Sequence, residues 1–184
     1  MRFKAGLLAS VAAVGVIAAS AYAAVVESGL KLGAAPGPFQ VVDVTGPFKG
    51  KQLCYRCRYG AAPVIAAFIN GDATKAEKVV VDLQKIVDAH KAQGLKSFVV
   101  FMTGPESKDA ILKIAATKKI TIPLVFLPKG TKEDDIAAYN INPEAKNTVL
   151  MWKDVAVKGN FVNVDTATGP ASPELAKAVD SMLK

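Results

Sequence analysis

The chain has 184 residues, 23 lysines and arginines against 16 acids, one histidine and two cysteines. The net charge of +7 is spread along the sequence. Lysines alternate with acids on predicted helices, and no arginine-rich run or interleaved aromatic stretch marks a nucleic-acid interface. One histidine leaves nothing to complete a Ser or Cys triad, and two thiols alone do not fill a tetrahedral zinc site, so no cofactor is expected.

Residues 1–23 read as a secretory signal. Arg2 and Lys4 give a basic start, Leu7 to Ala19 is uncharged and apolar, and Ala21-Tyr22-Ala23 offers the small residues that a signal peptidase accepts. The competing reading is a membrane anchor, but the run is rich in Ala and Gly, whereas a span takes roughly 20 strongly apolar residues. The expectation is an exported protein, periplasmic or extracellular, with no stable membrane anchor after cleavage. Residues 24–38 end in Ala34-Ala35-Pro36-Gly37-Pro38 and predict an extended lead-in; residues 39–184 predict the folded domain.

Phe39 to Val44 alternates as a strand and stops at Thr45-Gly46-Pro47. The cysteine segment, Lys49 to Gly60, follows. Pro63 to Ile69 is a continuous apolar run, the mark of a strand buried on both faces. Thr74 and Glu77 have capping-box spacing and predict the start of a helix. Val79, Val80, Leu83, Ile86 and Val87 give that helix one apolar face, and Gly94 closes it. Ser97 to Met102 predicts a second buried strand. Pro105 and Ser107 open a second helix with Ala110, Ile111, Ile114 and Ala115 inward. Ile120 to Phe126 is a third strand, interrupted by Pro123, and a short acidic helix runs from Lys132 to Tyr139. Thr148–Trp152 and Val155–Val164 predict a hairpin about Lys153-Asp154. Ser172 as N-cap and Pro173 at the first helical position then open a last helix. This order predicts an α/β fold, a central mixed β-sheet with helices on both faces.

The chain resembles the redoxin branch of the thioredoxin-like superfamily, which holds exported thiol-disulfide oxidoreductases and the peroxiredoxins related to alkyl hydroperoxide reductase. The resemblance rests on Gly29-Leu-Lys-Leu-Gly33 followed by Pro36 and Phe39, on Gly46, on Pro63–Ile69 as central strand, on Lys119-Ile-Thr-Ile-Pro-Leu124, and on Tyr139-Asn-Ile141. It implies a reactive cysteine just after the central strand, at a helix start where N–H groups stabilise a thiolate. Here that stretch is Asn70-Gly-Asp-Ala-Thr74, without sulfur. The resemblance also implies a cis-proline, and Asn147 takes that place, with Pro123 a strand proline instead. No peroxidase activity is therefore expected.

Leu53-Cys-Tyr-Arg-Cys-Arg-Tyr-Gly60 is the most distinctive stretch. Because it precedes the central strand, Cys54 and Cys57 are expected near the N-terminal ends of the parallel strands, opposite the pole where such folds act. Four readings stay open: a local disulfide in a non-catalytic scaffold or binding module, a redox-active dithiol, a thiolate site for a soft ion such as Cu(I), and a thiol that docks a partner. In the redox reading Cys54 and Cys57 are the catalytic pair of a thiol-disulfide oxidoreductase. Arg56 and Arg58 then stabilise the thiolate, and the partners are other exported proteins with thiols or disulfides. Phe48, Tyr55 and Tyr59 read as an aromatic rim or as packing, and Trp152 as sheet packing. Glu133-Asp134-Asp135 reads as a solvated first helical turn and His90 as a solvated helix residue.

Overall fold

The computed structural model describes residues 26–130, 136–164 and 172–184. The signal reading at 1–23 and the acid cluster at 133–135 lie outside the described residues. Seven strands form one mixed sheet: β1 (Val41–Asp43), β2 (Gln52–Leu53), β3 (Val64–Ile69), β4 (Lys96–Phe101), β5 (Leu124–Phe126), β6 (Asn147–Lys153) and β7 (Ala156–Val162), in the order β2-β1-β5-β4-β3-β6-β7. The α-helices with both ends among the described residues are α1 (Tyr55–Tyr59), α2 (Glu77–Ala89), α3 (Lys108–Lys118) and α4 (Pro173–Leu183). Among the described residues no helix is long and apolar enough to cross a membrane.

The apolar run of β3 is buried at all six positions because it lies mid-sheet, parallel to β4 and antiparallel to β6. Its side chains alternate between two cores. Ile65, Ala67 and Ile69 pack with Val80 and Leu83 of α2, Ile111 of α3 and Val179 of α4. Val64, Ala66 and Phe68 meet an aromatic core containing Phe39, Tyr55, Phe98, Tyr139 and Trp152.

Crossover handedness explains this division. The steps β3-α2-β4 and β4-α3-β5 move the same way across the sheet, so right-handed crossovers put α2 and α3 on one face. The step from β2 to β3 moves the opposite way, and the same handedness puts α1 on the other face. The lead-in covers that face too. Its Ser28 hydroxyl lies 2.6 Å from Thr148 Oγ1, and Gly33 N donates to Val157 O at 2.9 Å.

Local boundaries differ from expectation where pairing or capping decides them. Asp72, not Thr74, caps the chain after β3. Its Oδ1 accepts from Thr74 N at 2.9 Å and from Thr74 Oγ1 at 2.7 Å, opening a 3-10 turn, Ala73–Ala76, before α2. The hairpin turns at Asp154-Val155, one residue late, because Lys153 still pairs with Ala156. Both turn residues have positive φ, 54° and 63°. Ser172 sits at the N-cap of α4, but its side chain makes no cap bond; its backbone N reaches Asp82 Oδ2 of α2 at 3.3 Å.

Candidate functional site

Strand direction places the cysteines. β1 is antiparallel to β5 and β2 is antiparallel to β1, so β2 runs with β3, β4 and β5. Ile69, Phe101, Phe126, Val42 and Gln52 form one row across the sheet, and Leu53 lies one residue past it. Cys54 therefore leaves the sheet at the pole where the parallel strands end, not at the opposite pole expected from its position before β3. The sequence order strand, cysteine segment, central strand does not show that the small strand before the cysteines shares the direction of β3. Laterally, β2 stands four strands from β3, roughly 19 Å at about 4.8 Å per strand. The local order of strand, sulfur at the helix start and helix, which the resemblance implies after the central strand, occurs here at the sheet edge.

Cys54 and Cys57 are joined by a disulfide with a Cα–Cα distance of 5.3 Å. Cys54 is the N-cap of α1 in extended conformation, and its Sγ accepts from Cys57 N at 3.0 Å. The two residues differ in exposure: Cys54 is 8% exposed, whereas Cys57 is exposed on α1.

Tyr55 fastens this helix to the sheet. Its ring stacks on Phe98 at 5.5 Å and 18°, and its hydroxyl donates to Asp43 Oδ2 at 2.7 Å. Asp43, 1% exposed, also accepts from Gly46 N at 2.6 Å and Phe48 N at 2.8 Å. A Cβ on Gly46 would lie 2.6 Å from Tyr55 Oη and 2.7 Å from Asp43 Oδ2, so only glycine admits this junction. Burial first, and then the bond to Asp43, pushes the Tyr55 hydroxyl far above its ordinary value. Burial does the same to Tyr59, whose hydroxyl donates to Ser97 O at 3.1 Å. Tyr55 and Tyr59 thus pack beneath the helix and form no rim over the sulfurs. Trp152 is fully buried, edge-on to Phe98.

Arg56 and Arg58 are each anchored on a group other than sulfur. Arg56 Nε donates to Pro36 O at 2.8 Å, and the Arg58 guanidinium lies 4.0 Å from the Phe48 ring centroid. Sequence reasoning missed Asp43 as the organiser of the site. Its signal was an acid in an apolar strand, three residues before a glycine in a turn, the pattern of a side chain closing its own turn.

The turn after β3 carries no comparable chemistry. Asp72 is exposed, and its bonds to Thr74 hold its carboxyl below the usual carboxylate range. Asn147 is buried and clasps the end of β7, accepting from Val164 N at 2.9 Å and donating to Val164 O at 3.2 Å. Among the described residues there is no cis peptide bond and no cluster of three or more His, Cys, Asp or Glu that could hold a metal. His90 is not solvated. Its side chain is 12% exposed, with Nδ1 2.7 Å from Ile86 O and Nε2 2.9 Å from Asp180 of α4.

No family model matches the sequence, and no curated protein matches it. Solved structures do match in fold. The chain is similar to the thioredoxin domain of a thiol-disulfide oxidoreductase from Bacteroides vulgatus, with TM-score 0.64 and 14% identity over 84% of this chain and 99% of that one. It is similar to a putative thiol:disulfide interchange protein from Chlorobium tepidum, with TM-score 0.63 and 14% identity over 84% and 99%. A cysteine-to-serine mutant of peroxiredoxin 6 from Arenicola marina gives TM-score 0.60 and 15% identity over 83% and 73%.

Proposed function

From the premise that this chain has a thioredoxin-like fold of the redoxin type, we propose that it is an exported protein that exchanges thiols and disulfides through Cys54 and Cys57. The observation that carries the reading is the unequal exposure of two bonded cysteines, Cys57 exposed and Cys54 buried at a helix start. Export rests on the signal-like residues 1–23 and on the need of a persistent disulfide for an oxidising compartment.

The exchange runs with Cys57 as the attacked sulfur. An incoming thiolate bonds to Cys57 Sγ, the Cys54–Cys57 bond breaks, and its electron pair leaves on Cys54 Sγ. The N–H of Cys57, 3.0 Å from that sulfur, favours the thiolate form of Cys54. A second substrate thiolate then attacks the substrate sulfur of the mixed disulfide and releases Cys57 as thiolate. The substrate dithiol is oxidised to a disulfide and the protein is reduced to a dithiol. The reverse sequence reduces a substrate disulfide.

Single-cysteine variants test the polarity. With glutathione disulfide, Cys54→Ser should form the glutathione adduct at Cys57 at least about tenfold faster than Cys57→Ser forms it at the buried Cys54. Equal rates, or no adduct on either folded variant, would overturn the proposal. Peroxide consumption with a thiol reductant should stay at background, since Asp72-Ala73-Thr74 supplies no sulfur; turnover lost on changing Cys54 would show a peroxidatic site.

The scaffold reading draws on a different observation, the buried Tyr55–Asp43 junction that fixes α1. It expects a disulfide that small thiols leave intact while the fold persists.

A further inference from the structure

We propose that Arg56 and Arg58, on either side of Cys57 in α1, give it a basic surround, so that the thiols exchanged there carry negative charge close to their sulfur. The inference rests on the exchange reading and names its substrate class. Successive residues of a helix are about 100° apart around its axis, so Arg56 and Arg58 flank Cys57 on opposite sides. Both guanidiniums are positioned in advance. One is held by Pro36 O at 2.8 Å through Nε, which leaves its terminal NH2 groups for a ligand. The other lies over the Phe48 ring at 4.0 Å, an arrangement that leaves the in-plane N–H groups of the fork open to a carboxylate. Such anchoring removes much of the side-chain entropy that an unrestrained arginine loses on binding.

The sequence around the cysteines carries charge of one sign. From Val44 to Gly71 the sequence holds Lys49, Lys51, Arg56 and Arg58 and no Asp or Glu. From Ser28 to Gly71 the single acid is Asp43, which is buried and engaged by Tyr55 and two backbone N–H groups. Lys49 and Lys51 are exposed on the turn whose Phe48 sits beneath Arg58. An anionic thiol or an acidic cysteine-bearing peptide is attracted to this surface, and a cationic thiol is repelled.

The test measures reduction of the oxidised protein by glutathione, 2-mercaptoethanol and cysteamine, each at equal thiolate concentration. Intrinsic reactivity cancels when the glutathione-to-cysteamine rate ratio is compared between wild type and Arg56→Gln/Arg58→Gln. That ratio should fall at least about fivefold in the double variant at low salt, and the wild-type ratio should itself shrink at high salt. Arg58→Lys, which keeps the charge, should stay close to wild type. A ratio unchanged in a folded double variant that still exchanges with 2-mercaptoethanol would overturn the charge selection alone. Wild-type protein inert to all three thiols would overturn the exchange reading, and the charge selection with it.

Discussion

Changing Tyr55 to Phe removes one oxygen from the junction that holds the disulfide helix on the sheet. The ring, and with it the stack on Phe98, stays. The lost bond is a 2.7 Å donation to a carboxylate on a side chain that is 1% exposed, and hydrogen bonds to charged groups are worth about 1.5–3 kcal/mol. Asp43 keeps two backbone donors, so the lower half of that range applies, about 2 kcal/mol. For a chain of this size that is a fall in melting temperature of about 4–8 °C. The assay is urea unfolding of the oxidised protein, with Asp43→Asn and the double variant closing a cycle. The pH dependence adds an independent check. The folded hydroxyl of Tyr55 ionises far above its unfolded value, so its stabilisation is complete below pH about 10 and is lost as pH rises beyond it. At pH 11 this one group costs the wild type about 1.4 kcal/mol that the Phe variant keeps, so the gap between them should narrow to well under about 1 kcal/mol. A gap below about 0.5 kcal/mol at neutral pH, or one that does not narrow on alkalinisation, would refute the reasoning.

Two further outcomes concern the opposite face and the sheet rim. His90 has both ring nitrogens against acceptors, which calls for two N–H donors and hence the charged imidazole; the bonds to Asp180 and to Ile86 O raise its affinity for the proton. Its contribution is therefore full below its unfolded value of about 6.5 and fades as pH rises through the folded one, so His90→Gln should destabilise by up to about 1 kcal/mol at pH 5.5 and less at pH 9, read by chemical denaturation. Val155 is a β-branched residue at φ 63° in the hairpin turn, a conformation that costs about 1 kcal/mol and that asparagine tolerates better, so Val155→Asn should raise the melting temperature by a few degrees; a lowered one would show that its side-chain contacts outweigh the strain.

The long elements were legible because each has a period or a run. Pro63–Ile69 reads as a strand covered on both sides, and Val64–Ile69 is buried throughout; Val79, Val80, Leu83 and Ile86 read as one face of a helix, and all four are buried. The candidate site was legible in its residues but not in its place. A two-residue strand and a five-residue helix carry no periodicity, and the direction of β2 comes from β1 pairing with β5, residues far apart in the chain. Asp72 and Thr74 are both good caps, two residues apart, and the cap bonds fall to the first. His90 read as a solvated residue because its partner, Asp180, is half the chain away.

The division of the two faces also orders events in time. A C-x-x-C loop closes within one turn of chain and needs no distant partner, so the disulfide can form while the polypeptide is still unfolded. The β3-α2-β4-α3-β5 unit is likewise sequence-contiguous and favours early assembly. By contrast, α1 is fixed only after β1 has found β5 across that whole unit and Asp43 has met Tyr55. Oxidation therefore needs no folded sheet, whereas the inequality between the two cysteines belongs to the finished molecule. A chain with α1 undocked would offer both cysteines alike, and selectivity for Cys57 would report that the helix has docked.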